Sequence, residues 1–166
     1  MSDLTHAAYC VFRLGDGVLA LDAVVVSEVA MMETPTQLPG CARAVRGVSN
    51  LRGRAVAMVD LAAVLDLAPM AELGEYDAGD ADQLALVVRV SGCECGVLVT
   101  AVDGVFSADP RGRRGANRAA EPAWISGFQE FAVPGAPAVV AAVIDVVELT
   151  ARLTRLRPTR RSQTAA

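Results

Sequence analysis

The chain has 166 residues and a formal net charge of -4; it is 53% hydrophobic but only 4% aromatic. That length suits one domain, or two small subdomains sharing a core built from Val, Leu, Ala and Met. The acidic balance argues against a nucleic-acid footprint, which is basic and clustered on one face. No apolar run approaches the roughly 20 residues of a membrane span, and Met1 to His6 lacks the basic and apolar regions of a signal peptide, so a soluble cytoplasmic protein without membrane insertion is expected.

The elements read as mainly β with a few short helices. Tyr9 to Leu14 is a strand, Gly15-Asp16-Gly17 a hairpin turn, and Val18 to Leu21 the returning strand. Asp22 caps an expected helix over Ala23 to Ala30. Met31 to Leu38 is extended and breaks at Pro39-Gly40, and Cys41 to Val45 reads as a helical turn.

The run from Gly47 to Leu61 is the most informative stretch. It reads as strand, tight turn, strand and helix start, with Asn50, Arg52 and Gly53 at the turn. Val56, Met58 and Asp60 alternate with Ala55, Ala57 and Val59, which predicts a strand with apolar residues on both faces, buried in a core. Arg52 is then a fixed charge held between two buried strands, and loops on rigid scaffolds are where binding residues concentrate. Asp60 caps a helix with Leu61, Val64 and Leu65 on one face.

Residues 68–83 turn acidic and rich in Gly and Pro, and a subdomain boundary within one domain spanning 7–156 is placed there. Leu84 to Val90 and Glu94 to Val99 form a second hairpin around Ser91-Gly92, followed by a strand over Val102 to Ser107. Residues 109–122 form a long loop carrying Arg111, Arg113, Arg114 and Arg118, read as a surface loop or an anion site. Trp124 to Val133 and Ala138 to Ile144 make a last hairpin turned by Pro134-Gly135. Asp145 caps a helix whose apolar stripe is Val146, Leu149, Leu153 and Leu156, with Glu148 placed for a capping box. Residues 157–166 form a basic tail expected to be disordered. Three apolar strands thus meet a short helix through an aspartate (Asp22, Asp60, Asp145), and with the paired hairpins this suggests two related small barrels.

Catalytic chemistry is missing from the pattern. The single histidine, His6, is poorly placed as a base for a nucleophile, and there is no phosphate-binding glycine loop. Cys93 and Cys95 would share one face of a strand, but a zinc site normally needs four ligands and no second close pair exists. Buried small hydrophobes are the expected use of Cys10, Cys41, Cys93 and Cys95. No enzyme activity, cofactor or metal is expected; a binding or scaffolding role is. A thiol-based sensor or metal-binding β-barrel is the alternative of a different class.

Gly47-Val48-Ser49-Asn50-Leu51-Arg52-Gly53 with the following Val59-Asp60-Leu61 resembles the signature of the CheW-like chemotaxis coupling proteins. Tyr9 to Asp16, Ala23 to Val29, Gly96 to Val99, Val102 to Val105 and Ala142 to Val146 resemble further family elements in the family's order. Thr100 departs from the aspartate common at its position. The resemblance implies two intertwined five-stranded β-barrels and a non-enzymatic adaptor between the cytoplasmic tip of a chemoreceptor and the regulatory domain of a CheA-type histidine kinase. A coupling protein for twitching motility or another chemosensory output is an alternative within the same class. By matched position the resemblance implies a partner-binding role for Val26, Glu28, Gly47, Asn50, Arg52 and Gly53. Glu28, expected on an exposed helix face, could pair with Arg52 and tie that helix to the hairpin.

Overall fold

A computed structural model of the chain describes residues 7–67 and 83–156. The basic tail, and the subdomain boundary except for Gln83, lie outside the described residues. In chain order the elements are β1 (Ala7–Leu14), β2 (Gly17–Asp22), a 3-10 turn (Ala23–Val25), β3 (Val26–Met32), β4 (Val45–Leu51), β5 (Arg54–Asp60) and the one-turn helix α1 (Leu61–Val64). They continue with β6 (Gln83–Val90), β7 (Cys93–Leu98), β8 (Ala101–Ala108), β9 (Arg114–Gly115), β10 (Ile125–Phe131), β11 (Val139–Ile144) and α2 (Val146–Arg155).

Two sheets form, in strand order β8-β1-β2-β11-β10-β9 and β3-β6-β7-β5-β4. They repeat one plan. A hairpin (β1–β2 or β6–β7) takes a parallel neighbour on one side, β11 on β2 and β5 on β7. That neighbour carries its own hairpin partner outward, β10 or β4. On the hairpin's other side stands an antiparallel strand that follows, in sequence, the hairpin of the opposite sheet. β3 follows β2 in sequence but pairs with β6, and β8 follows β7 but pairs with β1. The mainly β, intertwined architecture with few helices holds, while the sheets stop short of closed barrels. The β3 ladder ends at Met32, and the chain beyond it meets β4 through one pair of backbone bonds, Thr36 N–H to Val48 O and Val48 N–H to Thr36 O at 2.8 and 2.9 Å, and through the Ser49 hydroxyl, which donates to the Glu33 carbonyl at 2.8 Å. β9 takes the matching place beside β10. Each outer edge is thus partly covered rather than laddered shut.

The expected helix over Ala23 to Ala30 is a correction. Asp22 does cap, its carboxylate accepting from Val24 N–H at 3.0 Å, but only a single 3-10 turn follows. The β-branched run Val24-Val25-Val26 suits a strand better than a helix interior, and from Val26 the backbone gains a full ladder with β6. Cys41 to Val45 likewise holds only a turn, closed by Val45 N–H to Ala42 O. On β5, Val56, Met58 and Asp60 are buried as expected, yet Ala55 and Ala57 are exposed, so only one face of that stretch is covered. Asp60 and Asp145 cap α1 and α2 as read, accepting from Ala63 N–H and from Val147 and Glu148 N–H. Glu148 does not return the bond; its carboxylate accepts from Arg152 Nε at 2.9 Å one turn on.

One large core joins both sheets and helices, with Phe12, Leu21, Met32, Met58, Leu86 and Leu149 at most 1% exposed. A smaller cluster around Tyr9, Val11, Phe131 and Val143 fills the first sheet, where the Tyr9 and Phe131 rings meet edge-on at 5.6 Å. Val97 and Val99 are buried in the main core, and Val102 packs against it.

Gly47 lets the halves of the second sheet close up. Arg46 is an extra residue in β4, Gly47 follows it at φ 139°, and a Cβ there would lie 2.2 Å from the Thr36 carbonyl oxygen. Gly53 also has positive φ, but a Cβ there meets nothing within 4 Å. Gly47→Ala is therefore expected to lower stability by about 2–4 kcal/mol, through forced backbone movement. Gly53→Ala should cost only about 1–2 kcal/mol of left-handed strain. Urea unfolding midpoints of the two variants check this; equal losses would show that the Thr36 crossing gives way freely.

Candidate functional site

The β4–β5 turn is the centre of the candidate site. Leu51 pairs with Arg54, leaving Arg52 and Gly53 as the turn residues at φ 50° and 83°. Two positive φ values match the type I′ turn, whose twist fits a hairpin, but Asn, Asp or Gly usually hold its first position. Arginine there is strained by about 1–2 kcal/mol. Two local contacts hold it. Asn50 Oδ1 accepts from Gly53 N–H at 2.9 Å, and Arg52 Nη2 pairs with Glu28 Oε2 at 3.0 Å. The Arg52 side chain is 78% exposed, so this ion pair contributes less than about 1 kcal/mol. It orients the guanidinium more than it stabilises the fold.

Glu28 lies on β3, not on a helix, opposite Val87. Its other oxygen meets Arg54 Nη2 at 3.4 Å. Arg54 also bonds Glu94 through Nη1, and Glu94 accepts from Arg89 Nη2 at 2.8 Å. The result is a line of alternating charge, Arg52–Glu28–Arg54–Glu94–Arg89, drawn from the turn and from β3, β5, β6 and β7. The Arg89 hydrogen bond, with Arg54 beside it, holds the Glu94 carboxyl below the usual carboxylate value against its partial desolvation.

Of the residues singled out from sequence, Glu28, Asn50, Arg52 and Gly53 come together on this rim. Val26 is half-buried at the start of β3 and packs on the main core, and Gly47 is buried beneath Thr36. Sequence reasoning missed Arg54, Arg89 and Glu94. A signal for two of them was present: Ser91-Gly92 is a second positive-φ turn, and the hairpin register it sets places Arg89 directly opposite Glu94.

Beside the rim, the uncovered face of β5 opens onto an apolar groove of about 280 Å³. Its floor includes Val48, Ala57 and Cys95; its walls are Leu153 and Leu156 at the end of α2, and Leu38 with Cys41 from the loop before β4. Cys10 and Cys95 are buried, Cys93 half-buried and Cys41 exposed. Burial, with the Glu94 charge adjacent, pushes the Cys95 thiol up to about 11, so it stays protonated as a small hydrophobe. Among the described residues no three His, Cys, Asp or Glu side chains are placed to hold a metal ion. No helix among them is long and apolar enough to cross a membrane.

Because Glu94 is held below its ordinary 4.5, its contribution to stability is fully present above that pH and is lost as pH falls through the lowered folded value. The gap in melting temperature between the wild type and Glu94→Gln should be constant at neutral pH and shrink in acid. A gap that widens on acidification would contradict the charge line.

Comparison with known proteins agrees with this architecture. A family model described as the CheW-like domain matches residues 8–153. Among solved structures, the scaffolding protein TtCheW from Thermoanaerobacter tengcongensis superposes with a TM-score of 0.67 at 20% identity, covering 85% of this chain and 90% of that one. No curated protein sequence matches. The family match takes in strands of both sheets, all three capping aspartates and the hairpin that presents Arg52, and on that ground the chain belongs to the CheW-like domain family.

Proposed function

We propose that the protein is a non-enzymatic chemotaxis adaptor of the cytoplasm, linking the cytoplasmic tip of a chemoreceptor to the regulatory domain of a CheA-type histidine kinase. The observation that carries this reading is the presentation of Arg52: an exposed guanidinium in a strained turn, oriented by Glu28 at the head of a line of alternating charge. Strained backbone kept at an exposed site points toward function. A pre-oriented arginine can offer two parallel donors to a partner carboxylate, with little ordering left to do. Glu28, Asn50 and Gly53 hold that geometry, while Val26 and Gly47 support it from the packed side of the same sheet.

Coupling in this reading is mechanical. The two halves share one core and complete each other's sheets, so a partner on one half shifts the whole body relative to a partner on the other. Signal then passes as changed populations of the assembly, without a bond made or broken.

Titration of the purified protein against the regulatory domain of a CheA-type kinase from the same organism tests the reading, and saturable binding is expected. Arg52→Ala should weaken it about tenfold, chiefly through contacts with charged partner groups. The melting temperature should move only a few degrees, because an exposed ion pair adds little to folding. Equal loss of binding and of melting temperature would reduce Arg52 to a structural tie. No binding to such kinases or to receptor tips would overturn the adaptor reading.

A further inference from the structure

Strands β2 and β11 pair in parallel, Ala142 beside Leu19 and Val143 beside Ala20. Both end in a capping aspartate, and the same register carried two residues further sets Asp145 next to Asp22, on backbones about 5 Å apart. The two carboxylates line one cavity of about 240 Å³. Asp145 is engaged through both oxygens: Oδ1 accepts from Val147 and Glu148 N–H, and Oδ2 faces Arg118 at 3.6 Å. Asp22 uses only Oδ1, on Val24 N–H, and leaves its other oxygen open.

Arg113 and Tyr9 complete the cavity. Gly127 makes room for the arginine, since a Cβ there would lie 2.7 Å from Arg113 Nε. In the same loop Arg114 pairs with Glu121 and Arg118 with Asp145, but Arg113 forms no ion pair among the described residues. Tyr9 is 5% exposed and its ring rests against Phe131, yet its hydroxyl has no hydrogen-bond partner among the described residues. One cavity thus holds a guanidinium, a carboxylate oxygen and a phenol that are not bonded to one another. Buried polar groups are ordinarily satisfied. A set of both charges left open suits a ligand that itself carries both.

We propose that this cavity binds a small zwitterion, an α-amino acid with an apolar side chain. The ligand's carboxylate takes the two parallel donors of the Arg113 guanidinium and accepts from the Tyr9 hydroxyl. Its ammonium group donates to the open oxygen of Asp22. Its side chain leaves over Val147, which lines the cavity, and Val24, which the parallel register sets beside it; the two are 81% and 84% exposed. The cavity is smaller than the roughly 300–1,000 Å³ of sites for drug-sized molecules, so a single amino acid fills it. Bound there, the ligand ties the start of the crossing from β2 to β3 to the start of α2.

The test is isothermal titration of the full chain with L-leucine, and saturable binding is expected. Two half-ligands serve as controls: 3-methylbutylamine, which is leucine without its carboxylate, and 4-methylpentanoate, which is leucine without its amine. Each should bind about tenfold more weakly than leucine, because each leaves one charged contact unmade. Arg113→Gln and Asp22→Asn should each weaken leucine about tenfold for the same reason. Asparagine caps as well as aspartate does, so Asp22→Asn should fold. Tyr9→Phe removes a hydroxyl that holds nothing within the chain; it should weaken leucine about threefold and leave the melting temperature unchanged. Absence of saturable leucine binding overturns the proposal. So does equal affinity for either half-ligand, or leucine binding that Arg113→Gln and Asp22→Asn leave unaltered.

Discussion

The two crossings of the chain between sheets, from β2 to β3 and from β7 to β8, govern the rest of the molecule. Each sheet centres on a hairpin from one half of the sequence and is completed on both sides by strands from the other half: β8 and β11 flank β1–β2, and β3 and β5 flank β6–β7. The connections from β2 to β3 and from β7 to β8 therefore pass between sheets instead of folding back, and the main core is continuous across both. Neither half of the sequence can complete a sheet alone and the two sheets share one core, so local opening of either sheet is coupled to the whole. For a protein whose proposed work is to transmit a change in geometry, such coupling is the property required.

The capping aspartates translate this frame into the site. Asp60 is 2% exposed, caps α1, and pairs with Arg46 at 3.3 Å. Arg46 is the extra residue beside Gly47, so the same carboxylate that starts the helix anchors the irregularity that lets the Thr36 segment cross β4. Asp145 fixes the start of α2, and Arg152 on that helix reaches the Val64 carbonyl at 2.9 Å and the Asp66 carboxylate at 2.6 Å. The groove wall made by Leu153 and Leu156 is thereby set relative to the strands that form its floor.

Much of this was legible in the sequence because local rules decide it. The strand pairs turned by Gly15-Asp16, Arg52-Gly53 and Ser91-Gly92, and the three aspartate caps, depend on residues close together in the chain. The pairing of Glu28 with Arg52 was anticipated although the element carrying Glu28 was misread, since charge complementarity does not depend on backbone class. Ala23 to Ala30 failed as a helix because strand pairing with β6, distant in sequence, outweighed the local pattern. The roles of Arg54 and Glu94 were hidden for the same reason: the two residues meet only once β5 lies parallel to β7. The gap that keeps the sheets from closing depends on strand twist and on how the chain leaves β3, and no single residue announces either.

The crossing of the chain between sheets also bears on how the chain is made. Ala7 waits for Ala108 and Leu19 for Ala142 before the first sheet can assemble, so the fold is dominated by pairings remote in sequence and should form slowly. During synthesis β3 emerges before its partner β6, with Val29 and Met31 on a face that stays exposed even in the finished protein. Until β6 arrives, that strand is an open edge available to neighbouring chains. Yield from the cell should therefore be more sensitive to crowding of nascent chains than the stability of the folded protein would suggest.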